Sequence, residues 1–216
     1  MKTCLKGAAA LLCCLALAAS AASAATLTAD AACYVSGTPV TVSGTGFGAG
    51  NTIFLEGPQM FASVPGDAAG AISTIVKAPS NGAFIEPGYK SFTLKATDQA
   101  TQVNASVSFD VANLTFATSG GVKSPRAKRS WKFSGFIQRP GKPIYGHFRS
   151  GGRTYANYRF GIPKGRCGTL RKTAPGIPTK KLRTGKWLIQ VDYEPRYHKN
   201  TSPRVTSTTT VFTTFG

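Results

Sequence analysis

The sequence predicts an all-β protein built as two β-sandwich domains in tandem. Three observations carry that reading. Short runs that alternate apolar and polar residues recur between turns rich in glycine and proline. No helical period appears after the first two dozen residues. The charge changes sign near the middle of the chain, as it does when two surfaces have separate jobs.

The first segment stands apart. Lys2 and Lys6 precede an apolar run from Gly7 to Ala19, too short to span a bilayer comfortably. Ala22-Ser23-Ala24 follows as an A-x-A cleavage site. Residues 1–25 therefore read as a secretory signal peptide, and an uncleaved anchor is the competing reading. No later stretch is apolar enough to predict a transmembrane helix, so the mature chain is expected to be secreted or held at the cell surface. None of the cysteines has the neighbours that lipoprotein processing needs.

Residues 26–117 form the expected first domain. Thr38 to Ser43, Thr52 to Glu56, Ala71 to Lys77, Tyr89 to Lys95 and Val103 to Val111 each read as a strand. Gly44, Gly46, Gly48 and Gly50 lack the spacing of a nucleotide loop, and no helix follows to hold phosphate. They read as a tight strand connection. Residues 118–125, with Gly120, Gly121 and Pro125, read as a linker.

The charge divides near that linker. Thr26 to Gly120 holds three lysines against six acids, net −3. Gly121 to Gly216 holds 21 basic residues against Asp192 and Glu194 alone, net +19.

Residues 126–216 form the expected second, basic domain. Its centre is a hairpin, Pro143 to Arg149 and Arg153 to Phe160 around Ser150-Gly151-Gly152. A three-residue turn separates the residue types best, placing Arg149 opposite Arg153, His147 opposite Tyr155 and Tyr145 opposite Asn157. Tyr145, His147, Arg149, Arg153, Tyr155 and Arg159 then share an exposed face suited to a ligand. An ordinary solvated sheet face is the plainer reading. Trp187, Ile189, Val191 and Tyr193 alternate with polar partners as a half-buried strand. Arg171 to Arg183 reads as a mobile basic loop, and Val205 to Phe215 as a closing strand.

Cysteine use follows the compartment. Cleavage leaves Cys33 and Cys167, which an oxidising environment allows to pair and so staple the two halves. Two buried free thiols are the alternative.

Cys33 to Phe47, the Asp67-Ala68-Ala69-Gly70 turn and the Pro87 to Asp98 segment resemble bacterial immunoglobulin-like (TIG-like) domains of secreted proteins. The whole chain, through Ser134-Gly135-Phe136, Gly165 to Leu170 and Gly185 to Asp192, resembles a group of actinobacterial exported proteins. The resemblance implies immunoglobulin-like sandwiches and brings no catalytic residue. A faint repeat, Val42 to Phe47 against Phe133 to Phe136, points the same way.

No enzyme signature emerges. The histidines are His147 and His198 only, no serine has a nucleophile elbow, and no zinc spacing is present. Asp192 and Glu194 read as partners of nearby arginines rather than as a glycosidase pair. No metal or cofactor is expected. The sequence therefore points to a non-catalytic binding or structural protein. Its expected partners are anionic polymers: a wall polymer, an acidic glycan or extracellular nucleic acid. Charge neutralisation would drive binding, with Tyr145 and Tyr155 stacking on rings. A secreted hydrolase and a purely structural surface domain are the alternatives. No oligomeric state follows.

Overall fold

The computed structural model describes residues 24–80, 87–119 and 124–212. The expected signal peptide falls outside them apart from Ala24 and Ala25, as do residues 120–123 of the expected linker. The described chain is all-β. Fifteen strands form four sheets, and the apolar faces of these sheets meet in two cores. Among the described residues no helix is long and apolar enough to cross a membrane.

The first half contributes eight strands. They are β1 (Thr26–Ala29), β2 (Cys33–Val35), β3 (Pro39–Thr45), β4 (Thr52–Gly57), β5 (Met60–Pro65), β6 (Ile72–Lys77), β7 (Tyr89–Asp98) and β8 (Asn104–Ala112). One sheet has the order β1-β3-β6 and the other β2-β8-β7-β4-β5. Alternation decides the buried face. Val40 and Val42 of β3, Ile53 and Leu55 of β4, and Leu94 and Ala96 of β7 are fully buried, and their chain neighbours are not. Each such burial of a large aliphatic side chain is worth about 1.5–3 kcal/mol, enough to fix the register. β5 has no counterpart in the sequence reading. Its turn places Gln59 at φ 61°, a conformation that the residue type does not announce.

The second half contributes β9 (Thr115–Ser119), β10 (Lys128–Ser134), β11 (Ile144–Ser150), β12 (Arg153–Gly161), β13 (Leu170–Pro175), β14 (Gly185–Asp192) and β15 (Val205–Val211). The sheets run β13-β10-β9 and β12-β11-β14-β15. Their core is aromatic. Trp131 stacks parallel to Phe133 and tilts against Phe160, with ring centroids at 6.1 and 4.8 Å. Phe148, Trp187 and Val191 close it from the other sheet.

Two expectations about segments change here. Thr118 and Ser119 belong to β9, which pairs with β10, so the passage from one core to the other falls near Asn113 and Leu114 and not at 118–125. Arg171 to Arg183 is not all loop. Its first part is β13, whose Ala174 packs on the aromatic core while Arg171, Lys172 and Thr173 are exposed.

The halves meet at one buried point. Cys33 on β2 and Cys167 are joined by a disulfide, S–S 2.01 Å and Cα–Cα 5.4 Å, packed on Ala112. Arg166 makes an ion pair with the buried Asp110 at 2.5 Å, and Ser91 Oγ–H donates to the same carboxylate at 2.5 Å. Gly135 has φ +78°, and a Cβ there would meet the backbone of Asn113 and Leu114 within 2.7 Å. Only glycine lets β10 end this close to the crossing chain.

Candidate functional site

The β11–β12 hairpin turns through two residues, Gly151 and Gly152, with φ of +53° and +77°. Positive φ at both central positions matches strand twist in a two-residue hairpin. This overturns the three-residue turn. Ser150 faces Arg153 and Arg149 faces Thr154. A bulge at Tyr155 then shifts the register, so that His147 faces Asn157 and Tyr145 faces Arg159. Beyond the bulge the parity is the expected one. Tyr145, His147, Asn157 and Arg159 share the outer face, and Ile144 and Phe148 face the core.

The bulge divides the six candidate residues into two groups. Tyr145, His147, Arg149 and Arg159 stay on the outer face. Tyr155 turns inward and packs on the Trp187 ring at 5.2 Å. Arg183 Nη1–H donates to its hydroxyl at 3.0 Å, and the Arg153 guanidinium lies 5.8 Å from its ring. Tyr155 is therefore not a free stacking platform beside Tyr145.

His147 is also not exposed. It is 0% accessible, because the segment 193–204 between β14 and β15 folds back over the outer face. Tyr197 sits on the imidazole at 6.0 Å, and the Arg149 guanidinium stacks over Tyr197 at 3.8 Å. The same segment explains why β14 is buried on both faces rather than on one. Gln190 donates to Asp192 Oδ2 at 2.6 Å and to the His198 carbonyl at 2.9 Å.

His147 faces oxygen on both ring nitrogens, Asn157 Oδ1 at 2.7 Å and Asp192 Oδ1 at 3.0 Å. Two acceptors suit the imidazolium, which carries two N–H donors. Burial works against that charge. The hydrogen bonds to Asp192 and Asn157, with the Asp192 charge, outweigh it and hold the histidine above its ordinary value of 6.5. For Asp192, burial pushes upward. His147, Gln190 and the Glu194 N–H outweigh it and hold the carboxyl below 3.8. Asp192 thus pairs with His147 and not with an arginine, whereas Glu194 does pair with Arg139 at 2.6 Å.

The exposed part of the site lies past the hairpin tip. Arg153, Thr154 and Tyr155 form one wall of a cleft of about 450 Å³, and Pro178, Thr179, Lys180 and Lys181 form the other. The sequence placed Lys180 and Lys181 in a mobile loop and did not connect them to the hairpin. Both carboxylates of the basic half are taken, Asp192 by His147 and Glu194 by Arg139. The cleft's cations have no carboxylate partner among the described residues. Among the described residues no group of three His, Cys, Asp or Glu side chains could hold a metal ion.

Neither a protein-family model nor a curated protein matches the chain. Among solved structures it is similar to the crystal structure of YadV chaperone, at 10% identity and a TM-score of 0.28. The match covers 86% of this chain and 99% of that chain. A likeness at that score carries no argument about this protein.

Proposed function

We propose that the protein is a secreted, non-catalytic binding module of the cell surface, made of two immunoglobulin-like domains in tandem. Its basic half associates with anionic polymers such as wall polymer, acidic glycan or extracellular nucleic acid. One observation carries the reading. Arg153, Lys180 and Lys181 converge on one cleft with no carboxylate partner among the described residues, while the only two acids of that half are spent on His147 and Arg139. A surface of this kind gains affinity by releasing counterions from a polyanion, and the gain shrinks as salt rises. The apolar side of Tyr155 lines the same cleft and gives a sugar or base a partial contact.

The hydrolase alternative would need a free acid or base. His147 is buried with both ring nitrogens engaged, so it offers no nitrogen to a substrate in this arrangement. The test is retention of the full chain on purified cell wall, a heparin-like glycan and DNA at physiological salt. Binding to at least one, weakened by Arg153→Gln, is the expected result. No binding to any of the three would sink the proposal.

A further inference from the structure

The aromatic core of the second half is not closed on all sides. β12 lies against β13 at one margin. At the other margin, between β9 and β15, the sheets part around a groove of about 460 Å³. Parity shows the opening directly. Val205, Ser207, Thr209 and Val211 fall on the core-facing side of β15, opposite Val191, Ile189, Trp187 and Gly185. Val211 is buried, yet Ser207 and Thr209 are exposed although they lie on the core-facing side. Phe116, Ile177 and the largely exposed Phe212 give the groove apolar walls.

Two donors in this groove lack acceptors. Trp131 is 0% accessible, and among the described residues its Nε1–H has no partner; the Arg129 Nε–H is buried and has none among them either. Both residues line the groove. They stand two apart on β10, so they share its inner face at a separation of roughly 7 Å. A buried donor without an acceptor is costly enough that native proteins rarely leave one. Arg129 also has no carboxylate partner among the described residues. The other indole makes the contrast, since Trp187 Nε1–H donates to the Arg183 carbonyl at 2.9 Å.

We propose that this groove binds a small amphipathic monocarboxylate. The carboxylate takes the Arg129 and Trp131 donors, and its alkyl chain lies on Phe116, Ile177 and Phe212. A single negative charge balances the single guanidinium, and two oxygens match two donors. A phosphate dianion would bring twice the charge of the one guanidinium that lines the groove. The volume suits a small ligand. This site is separate from the Arg153–Lys181 cleft and does not depend on polymer binding.

The two tryptophans make the test direct. In a proton–nitrogen spectrum of the full chain the indole N–H groups give two signals, assigned with Trp131→Phe. Octanoate is expected to move the Trp131 signal downfield in a saturable manner and to leave that of Trp187 in place. Octanol, with the same chain and no charge, is expected to need at least a tenfold higher concentration. Inorganic phosphate is expected to have no effect. Arg129→Gln should weaken the octanoate response at least tenfold. Thr209→Phe, which fills the groove from the uncovered core-facing side of β15 and spares Arg129, should do the same in a protein that remains folded. A Trp131 signal unmoved by octanoate would overturn the proposal. So would equal responses to octanol and octanoate, or an undiminished response in both variants.

Discussion

The core of the first half is mainly aliphatic, built on Val40, Val42, Ile53, Leu55 and Leu94, with Tyr34, Phe47, Phe92 and Phe109 among them. That of the second is aromatic, built on Trp131, Phe133, Phe148, Phe160 and Trp187. The carboxylates differ in the same way. In the first half Asp98 ties a turn. Buried Asp98 accepts from Gly48 N–H at 2.8 Å, Asn51 Nδ2 at 3.0 Å and Ala100 N–H at 2.9 Å, and so holds the glycine-rich connection against the end of β7. In the second half Asp192 lies beneath a folded-back segment and holds a histidine. The comparison teaches that similar sheet pairs can be closed by different means. Anionic turns leave a surface with slight negative charge. A histidine beneath the sheet's cover takes up Asp192, so that Arg153, Lys180 and Lys181 outside have no carboxylate partner among the described residues.

Core truncation should show the largest effect. Trp131→Ala removes the ring on which Phe116, Phe133, Phe148 and Phe160 converge and should cost about 3–5 kcal/mol in urea unfolding. Leu55→Ala in the aliphatic core should cost about 2–5 kcal/mol. If Leu55→Ala proves costlier, the weight given to the aromatic core is misplaced.

Cutting the staple comes next. Cys167→Ser should cost about 2–4 kcal/mol and let the two cores unfold in separate transitions. A single unchanged transition would mean that the Arg166–Asp110 pair and the packing at Gly135 already couple the halves.

Opposite pH limits sharpen the comparison further. The Asn51 amide holds the Asp98 carboxyl far below its ordinary 3.8; burial opposes this, and the Gly48 and Thr101 N–H groups add to it. Such a group stabilises the fold above its unfolded pKa, and the contribution is lost as pH falls. His147 is raised above 6.5, so its contribution is complete below about 6.5 and is lost as pH climbs through the raised value. Thermal midpoints should therefore fall at both ends of the scale. Asp98→Asn should flatten the acid limb, and His147→Gln the alkaline limb. Each substitution should lower the midpoint near pH 6 by roughly 5 °C. An alkaline limb that His147→Gln leaves unchanged would remove the imidazolium from the picture.

Much of this was legible in the residues. The alternation of Thr38 to Ser43, Tyr89 to Lys95 and Val103 to Val111 marks β3, β7 and β8 to within a few residues, because one face of each is buried. The parity of the β11–β12 hairpin was also legible, since Ile144 and Phe148 cannot share a face with Arg159. Its turn was not. Two glycines allow either length, and the bulge that turns Tyr155 inward has no residue signature. The burial of His147 was illegible for another reason. It depends on where the segment 193–204 lies, and Arg196, Tyr197 and His198 look like an ordinary polar loop. β13 was hidden because the exposed run Arg171-Lys172-Thr173 resembles a charged linker.

The most direct test of the uncompensated cationic cleft is the salt dependence of binding to a heparin-like glycan or to DNA. The Lys180→Gln/Lys181→Gln variant of the full chain would be compared with the parent. On DNA the plot of log affinity against log salt should lose a slope of about 2, one for each phosphate contact removed. The same change should appear in direction on the glycan, with the thermal midpoint unchanged. A slope identical to the parent's would contradict the assignment of the cleft and place the binding charge elsewhere on the basic half.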